Sequence, residues 1–105
     1  MEDFAAVWAD IQNRLRPRSL PTWSRENGEM RKFEIVGVAP EAISILPAEG
    51  LERPVRKSDF ANVYAHWPDY ISENISRKTL EERSRSRNTS YIFGLLHWRE
   101  TVAAD

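Results

Sequence analysis

Lys32-Phe33-Glu34-Ile35-Val36-Gly37-Val38 alternates polar and apolar side chains and is rich in β-branched residues, the pattern of a strand with one buried face. Pro40-Glu41 turns the chain, and Ala42-Ile43-Ser44-Ile45-Leu46 repeats the pattern as a second strand. A third turn at Pro47 to Gly50 leads to a short Arg53-to-Lys57 run carrying Val55. Pro54 lacks the N–H that an inner strand must donate, which places this run at a sheet edge. Together these segments read as a three-stranded antiparallel meander. Upstream, Asn27-Gly28 is a turn signal, since both residues tolerate positive φ. Pro17 to Ser24 reads as an extended connection anchored by Leu20 and Trp23.

Helical periodicity flanks the meander on both sides. Phe4, Val7, Trp8, Ile11 and Leu15 form one apolar stripe, with Asp3 as N-cap and Pro17 as the stop. After the meander, Phe60, Val63, Tyr64, Trp67 and Ile71 give a second stripe, which Pro68 must kink or interrupt. Thr79-Leu80-Glu81-Glu82 matches a capping box, so a short helix is expected from Leu80. Arg87-Asn88-Thr89-Ser90-Tyr91-Ile92-Phe93-Gly94-Leu95-Leu96-His97-Trp98 opens a final, centrally packed helix running from about Asn88 to Val102. Helices segregated from consecutive antiparallel strands give an α+β fold, with two to three C-terminal helices on one face of the sheet. At this length, residues 1–105 form one domain.

Composition removes several chemistries. The chain has no cysteine, which excludes disulfides, thiol nucleophiles and thiolate metal sites. Net charge is −1, so no global field draws it to nucleic acid or membrane. No apolar run approaches the length of a membrane span, and the acidic Met1-Glu2-Asp3 start is unlike a signal peptide, so a cytoplasmic protein is expected. The few glycines form no phosphate loop or dinucleotide fingerprint, and no serine sits in a nucleophile elbow. No cofactor or metal is expected.

Three groups of residues stand out as candidate sites. Tyr64, Trp67, Tyr70, Tyr91, His97 and Trp98 are amphipathic rings on helices facing a sheet, and they qualify as a ligand pocket; the plainer reading is core packing. The segment 77–87 holds five basic and two acidic residues, and Arg77, Lys78, Arg83, Arg85 and Arg87 interleave with serines in a way that can grip phosphate oxygens. The plainer reading there is a solvated helix face with Glu–Arg pairs. His66 and His97 each precede a tryptophan, but neither has a metal-ligand spacing.

The succession of helix, strand meander, Lys57-Ser58-Asp59-Phe60, Trp67-Pro68-Asp69-Tyr70 and then Arg87-Asn88-Thr89-Ser90-Tyr91-Ile92 resembles small bacterial proteins carried on integron gene cassettes. The likeness covers residues 57–97 and the preceding meander. It implies a compact bacterial cytosolic domain, often self-associating, and it transfers no functional residue.

These readings lead to a non-enzymatic binding or regulatory module acting through a protein or aromatic-lined small-molecule surface. The alternative is nucleic-acid binding through 77–87, and a hydrolase or isomerase using a histidine ranks below both. A homodimer is expected too, with Trp98, Tyr91 or Trp23 covering the leftover apolar surface.

Overall fold

In the computed structural model, which describes residues 2–101, the long central strand is β2 (Gly28–Ala39). β1 (Arg18–Ser24) pairs along one side of it and β3 (Ala42–Leu46) along the other, while β4 (Arg53–Arg56) closes the far edge. The order is β1-β2-β3-β4, all antiparallel. The meander therefore has four strands, one more than the sequence pattern indicates. The extra strand is the segment 18–24. Its two neighbouring prolines disguise it, yet an edge strand tolerates them, because half its backbone donors face away from the sheet. The ladder slips between Pro21 and Trp23. Pro54 lies in the opposite edge strand, as its missing N–H requires.

A second irregularity falls between Ile35 and Gly37. Val36 points outward, where it is 40% exposed, and the inserted residue shifts the alternation after it so that Val38 returns to the core side opposite Ile43. Leu20, Phe33, Ile35, Ile43, Ile45 and Val55 thus share one buried face.

The described residues form five helices: α1 (Phe4–Arg14), α2 (Lys57–Tyr64), α3 (Trp67–Ile71), α4 (Arg77–Ser84) and α5 (Thr89–Thr101), of which α5 packs on β1 and α2 on β4, while α3 and α4 pack on other helices. Asp3 caps α1 by accepting a 2.8 Å bond from the Ala6 N–H. Trp8 on α1 donates its indole N–H to the Pro40 carbonyl in the β2–β3 turn, 3.0 Å away, tying helix to sheet.

The second apolar stripe, which Pro68 must kink or interrupt, is interrupted: it forms two helices, α2 and α3. Pro68 sits in the first turn of α3, where its missing N–H has no helical partner to lose. The break rotates Ile71 out of the stripe, and it is 40% exposed. α4 begins three residues before Leu80. Ser76 is its cap, accepting from the Thr79 N–H at 3.1 Å, so Thr79 lies inside the first turn rather than at the boundary. α5 begins at Thr89, and the Asn88 carbonyl accepts from the N–H groups of Tyr91 and Ile92. Val102, the expected last residue of that helix, lies outside the described residues.

Ile92, Phe93, Gly94, Leu95, Leu96 and Trp98 are all buried, so α5 is enclosed around most of its circumference. Among the described residues no helix is long and apolar enough to cross a membrane.

Candidate functional site

Of the six expected pocket residues, Tyr64, Trp67, Tyr70 and Trp98 are core residues, at 7% exposure or less. Three have a partner for the polar tip. The Tyr64 hydroxyl donates to the Glu2 carbonyl at 2.8 Å, the Trp67 indole to Glu100 Oε1 at 2.8 Å, and the Tyr70 hydroxyl to Glu26 Oε1 at 2.7 Å. Tyr70 also stacks on Phe93, with ring centroids 4.6 Å apart. The aromatic cleft is thus filled by its own rings. The buried Trp98 indole N–H has no partner among the described residues. Trp98, one of the residues expected at a dimer surface, is 7% exposed. Among the described residues, the exposed large apolar side chains are Met30, Val36, Leu46, Leu51 and Ile71.

The Tyr70 hydroxyl is a junction. It accepts from the Arg25 backbone N–H at 2.8 Å while donating to Glu26, and the Arg25 guanidinium lies 4.5 Å over its ring and donates to the Tyr70 carbonyl. Burial, reinforced by the Glu26 carboxylate, pushes the phenol up to about 12. Burial also works to raise Glu26, but the hydrogen bond from Tyr70 and the charge of Arg25 overcome it and hold the carboxyl below its ordinary value.

Tyr91 and His97 remain partly exposed on α5. His97 stacks on Trp23 at 4.5 Å and 8°, nearly parallel rings. Neither histidine donates to or accepts from a carboxylate among the described residues, and those residues hold no cluster of metal-ligating side chains.

The basic segment behaves differently. After α4, Arg85 adopts a left-handed conformation (φ 57°) and reverses the chain. Serine side chains then hold the loop: Ser84 Oγ accepts from the Ser86 N–H, and Ser86 Oγ from the Asn88 N–H at 2.9 Å. The Asn88 amide donates to Asp59 Oδ2 at 2.8 Å, fixing the loop against the first turn of α2. This geometry sets Arg85 and Arg87 beside β4, where Arg53 and Arg56 join them. Arg77 reaches in from α4, donating to Ser90 Oγ at 2.6 Å. Lys78 and Arg83 are exposed and line none of the hollows in this region.

Four hollows follow one another from the loop before α5 along that helix, each sharing lining residues with the next. The first, of about 270 Å³, holds Arg56, Arg85 and Arg87. Arg87 also borders the second, of about 200 Å³, with Arg53, Arg77 and Tyr91. Tyr91 and Ser90 continue into a third of about 320 Å³, with Arg31 and Lys32. Lys32 and Met30 lead to a fourth of about 380 Å³, with Arg18, His97 and Trp98.

This furrow gathers eight basic side chains against four carboxylates, in a chain whose net charge is −1. Arg31 pairs with Glu49 at 2.9 Å and Arg77 with Glu81 at 3.3 Å. Arg18, Lys32, Arg53, Arg56, Arg85 and Arg87 enter no ion pair among the described residues.

Sequence reasoning missed Arg18, Arg31, Lys32, Arg53 and Arg56 as members of this group. The available signal was the β-strand alternation itself, which exposes charged residues along β2 and β4, but nothing in it brings them to residues 85–87. No family model, no curated protein and no solved structure matches this chain.

Proposed function

We propose that this protein is a binding module for nucleic acid, held by its phosphates along the furrow beside α5. The observation that carries this reading is charge segregation. Over half of the chain's 15 basic residues line one track that holds only a quarter of its 16 acidic ones. A near-neutral chain thus carries a local positive field. Guanidinium groups without a carboxylate partner suit phosphate oxygens, which they meet through paired, charge-assisted hydrogen bonds. The hydroxyls of Ser86 and Ser90, which line the second hollow, add neutral donors at the same place.

The test is a salt titration of binding to mixed-sequence oligonucleotides. Contacts to several phosphates make log K fall linearly with log salt, with a slope near the number of phosphates neutralised. Arg87→Glu, at the junction of two hollows, should weaken binding and flatten that slope. Absence of binding at low salt would remove the proposal.

A second reading, a small amphipathic molecule or a peptide at the aromatic end, is supported by the roughly 380 Å³ hollow. There Arg18 lies 5.7 Å over the Trp98 ring, and His97 borders the same space. A hollow of this size falls within the range of small-molecule sites. The histidine-based hydrolase or isomerase has no comparable support, because neither imidazole is oriented by a carboxylate.

A further inference from the structure

We infer that the strand taken up by the furrow is single rather than duplex, with bases stacking at Tyr91 and His97. This rests on the nucleic-acid reading above and specifies its substrate class.

Shape is the first argument. Duplex readers push a helix or a two-stranded ribbon into a groove about 12 Å wide. Here α5, the helix at the centre of the basic track, is enclosed around most of its circumference and does not protrude as a groove-reading helix must. α4 is more open, but its exposed face carries Lys78, Glu81, Glu82 and Arg83, so its charges cancel. The unpaired arginines line concave hollows of about 200 and 270 Å³, suited to single phosphate or nucleotide groups.

The second argument is the interleaving of rings with cations, which is how sequence-tolerant single-strand grooves are built. Tyr91 borders the second and third hollows, and His97 borders the fourth. The two lie six residues apart on α5, about 9 Å along the helix axis. Trp23 backs the His97 imidazole in a near-parallel stack and holds the ring in place. At Tyr91, the Arg53 guanidinium lies 5.1 Å over the ring. A base can extend that stack on the guanidinium plane, as RNA bases do on arginine. The whole fold measures 33 Å at its longest, so the strand in contact is short, on the order of four nucleotides or a few more.

The experiment is fluorescence anisotropy on the full chain. The probes are labelled oligothymidylate and oligouridylate of about 12 nucleotides and a hairpin duplex of mixed sequence, between about 50 and 200 mM salt. The single strands should bind about tenfold or more tightly than the duplex. Tyr91→Leu and His97→Leu should each weaken single-strand binding about fivefold or more while leaving the salt slope unchanged, because stacking releases no counterions. His97 is partly exposed, so its variant keeps the stacking test valid even where Tyr91→Leu perturbs packing against Phe33. A duplex bound as tightly as the single strands overturns this inference and leaves the nucleic-acid reading standing. Single-strand affinity unchanged in His97→Leu and in a folded Tyr91→Leu overturns the stacking. No binding of any probe at the lowest salt overturns both readings.

Discussion

Gly94, midway along α5, lies against the backbone of Pro21 in β1: a Cβ placed on it would stand 2.5 Å from the Pro21 carbonyl oxygen and 3.2 Å from the Phe33 ring. The helix that borders the furrow is thus seated directly on the edge strand that helps form it. In an open helix interior, Gly→Ala stabilises by about 0.5–1 kcal/mol. Here the methyl group has no room, and the blocking atom is backbone. Gly94→Ala should therefore destabilise by about 1–3 kcal/mol, the usual range for overpacking. Denaturant unfolding checks it, and a stabilised variant would show that α5 does not sit this close to β1.

Leu95 is fully buried on the neighbouring face of the same helix. Leu95→Ala removes core volume and leaves a cavity, with an expected loss of about 2–5 kcal/mol. A loss within about 0.5 kcal/mol would place α5 at the margin of the core instead of its centre.

Tyr70 and Glu26 predict opposite limbs of the pH–stability curve. The Tyr70 phenol is raised when folded, from an ordinary 10 to about 12. Its contribution is complete below pH 10 and is lost as the pH rises towards 12, since the unfolded chain ionises first. The Glu26 carboxyl is held below its ordinary 4.5. Its contribution is present above that pH and is lost as the pH falls through the folded value. Tyr70→Phe should flatten the alkaline limb and weaken the acid limb, because it removes both the phenol and a donor to Glu26. Thermal melts across pH for both proteins decide it; identical alkaline slopes would contradict the junction.

Arg85 separates stability from binding. Its left-handed backbone costs a non-glycine residue about 1 kcal/mol, which glycine avoids, although glycine has more entropy to lose on folding. Arg85→Gly should leave stability unchanged or raise it by up to about 1 kcal/mol. It should also weaken oligonucleotide binding and lower the salt slope by about one, as expected for one lost phosphate contact. Unchanged affinity would take Arg85 out of the site.

The strands over 32–46, the edge position of Pro54, the first helix and nearly all of the core were legible because each is written as a local period. Phe33, Ile35, Ile43 and Ile45 alternate, while Val7, Trp8 and Ile11 recur at helical spacing, and burial follows both patterns. β1 was hidden because prolines mask its alternation and because its partner lies across a turn. Only pairing with β2, from Arg18 opposite Ile35 to Ser24 opposite Gly28, makes 18–24 a strand. Of the eight basic residues of the candidate site, three were legible. Arg77, Arg85 and Arg87 announced themselves by density, but Arg53 and Arg56 lie some thirty residues earlier and join them through the packing of β4 against the 85–88 loop.

By itself, then, the sequence determined the element types and which residues turn inward, since those depend on side-chain spacing along one segment. Tertiary structure alone decided which rings of the aromatic set stay at the surface. α5 is apolar around most of its circumference, so no periodicity singles out Tyr91 and His97 as the exposed members or Trp98 as a buried one. It also decided where the charge gathers. Net charge is a sum over the chain and carries no position, whereas the field a ligand meets depends on which cations the fold places within a Debye length of one another.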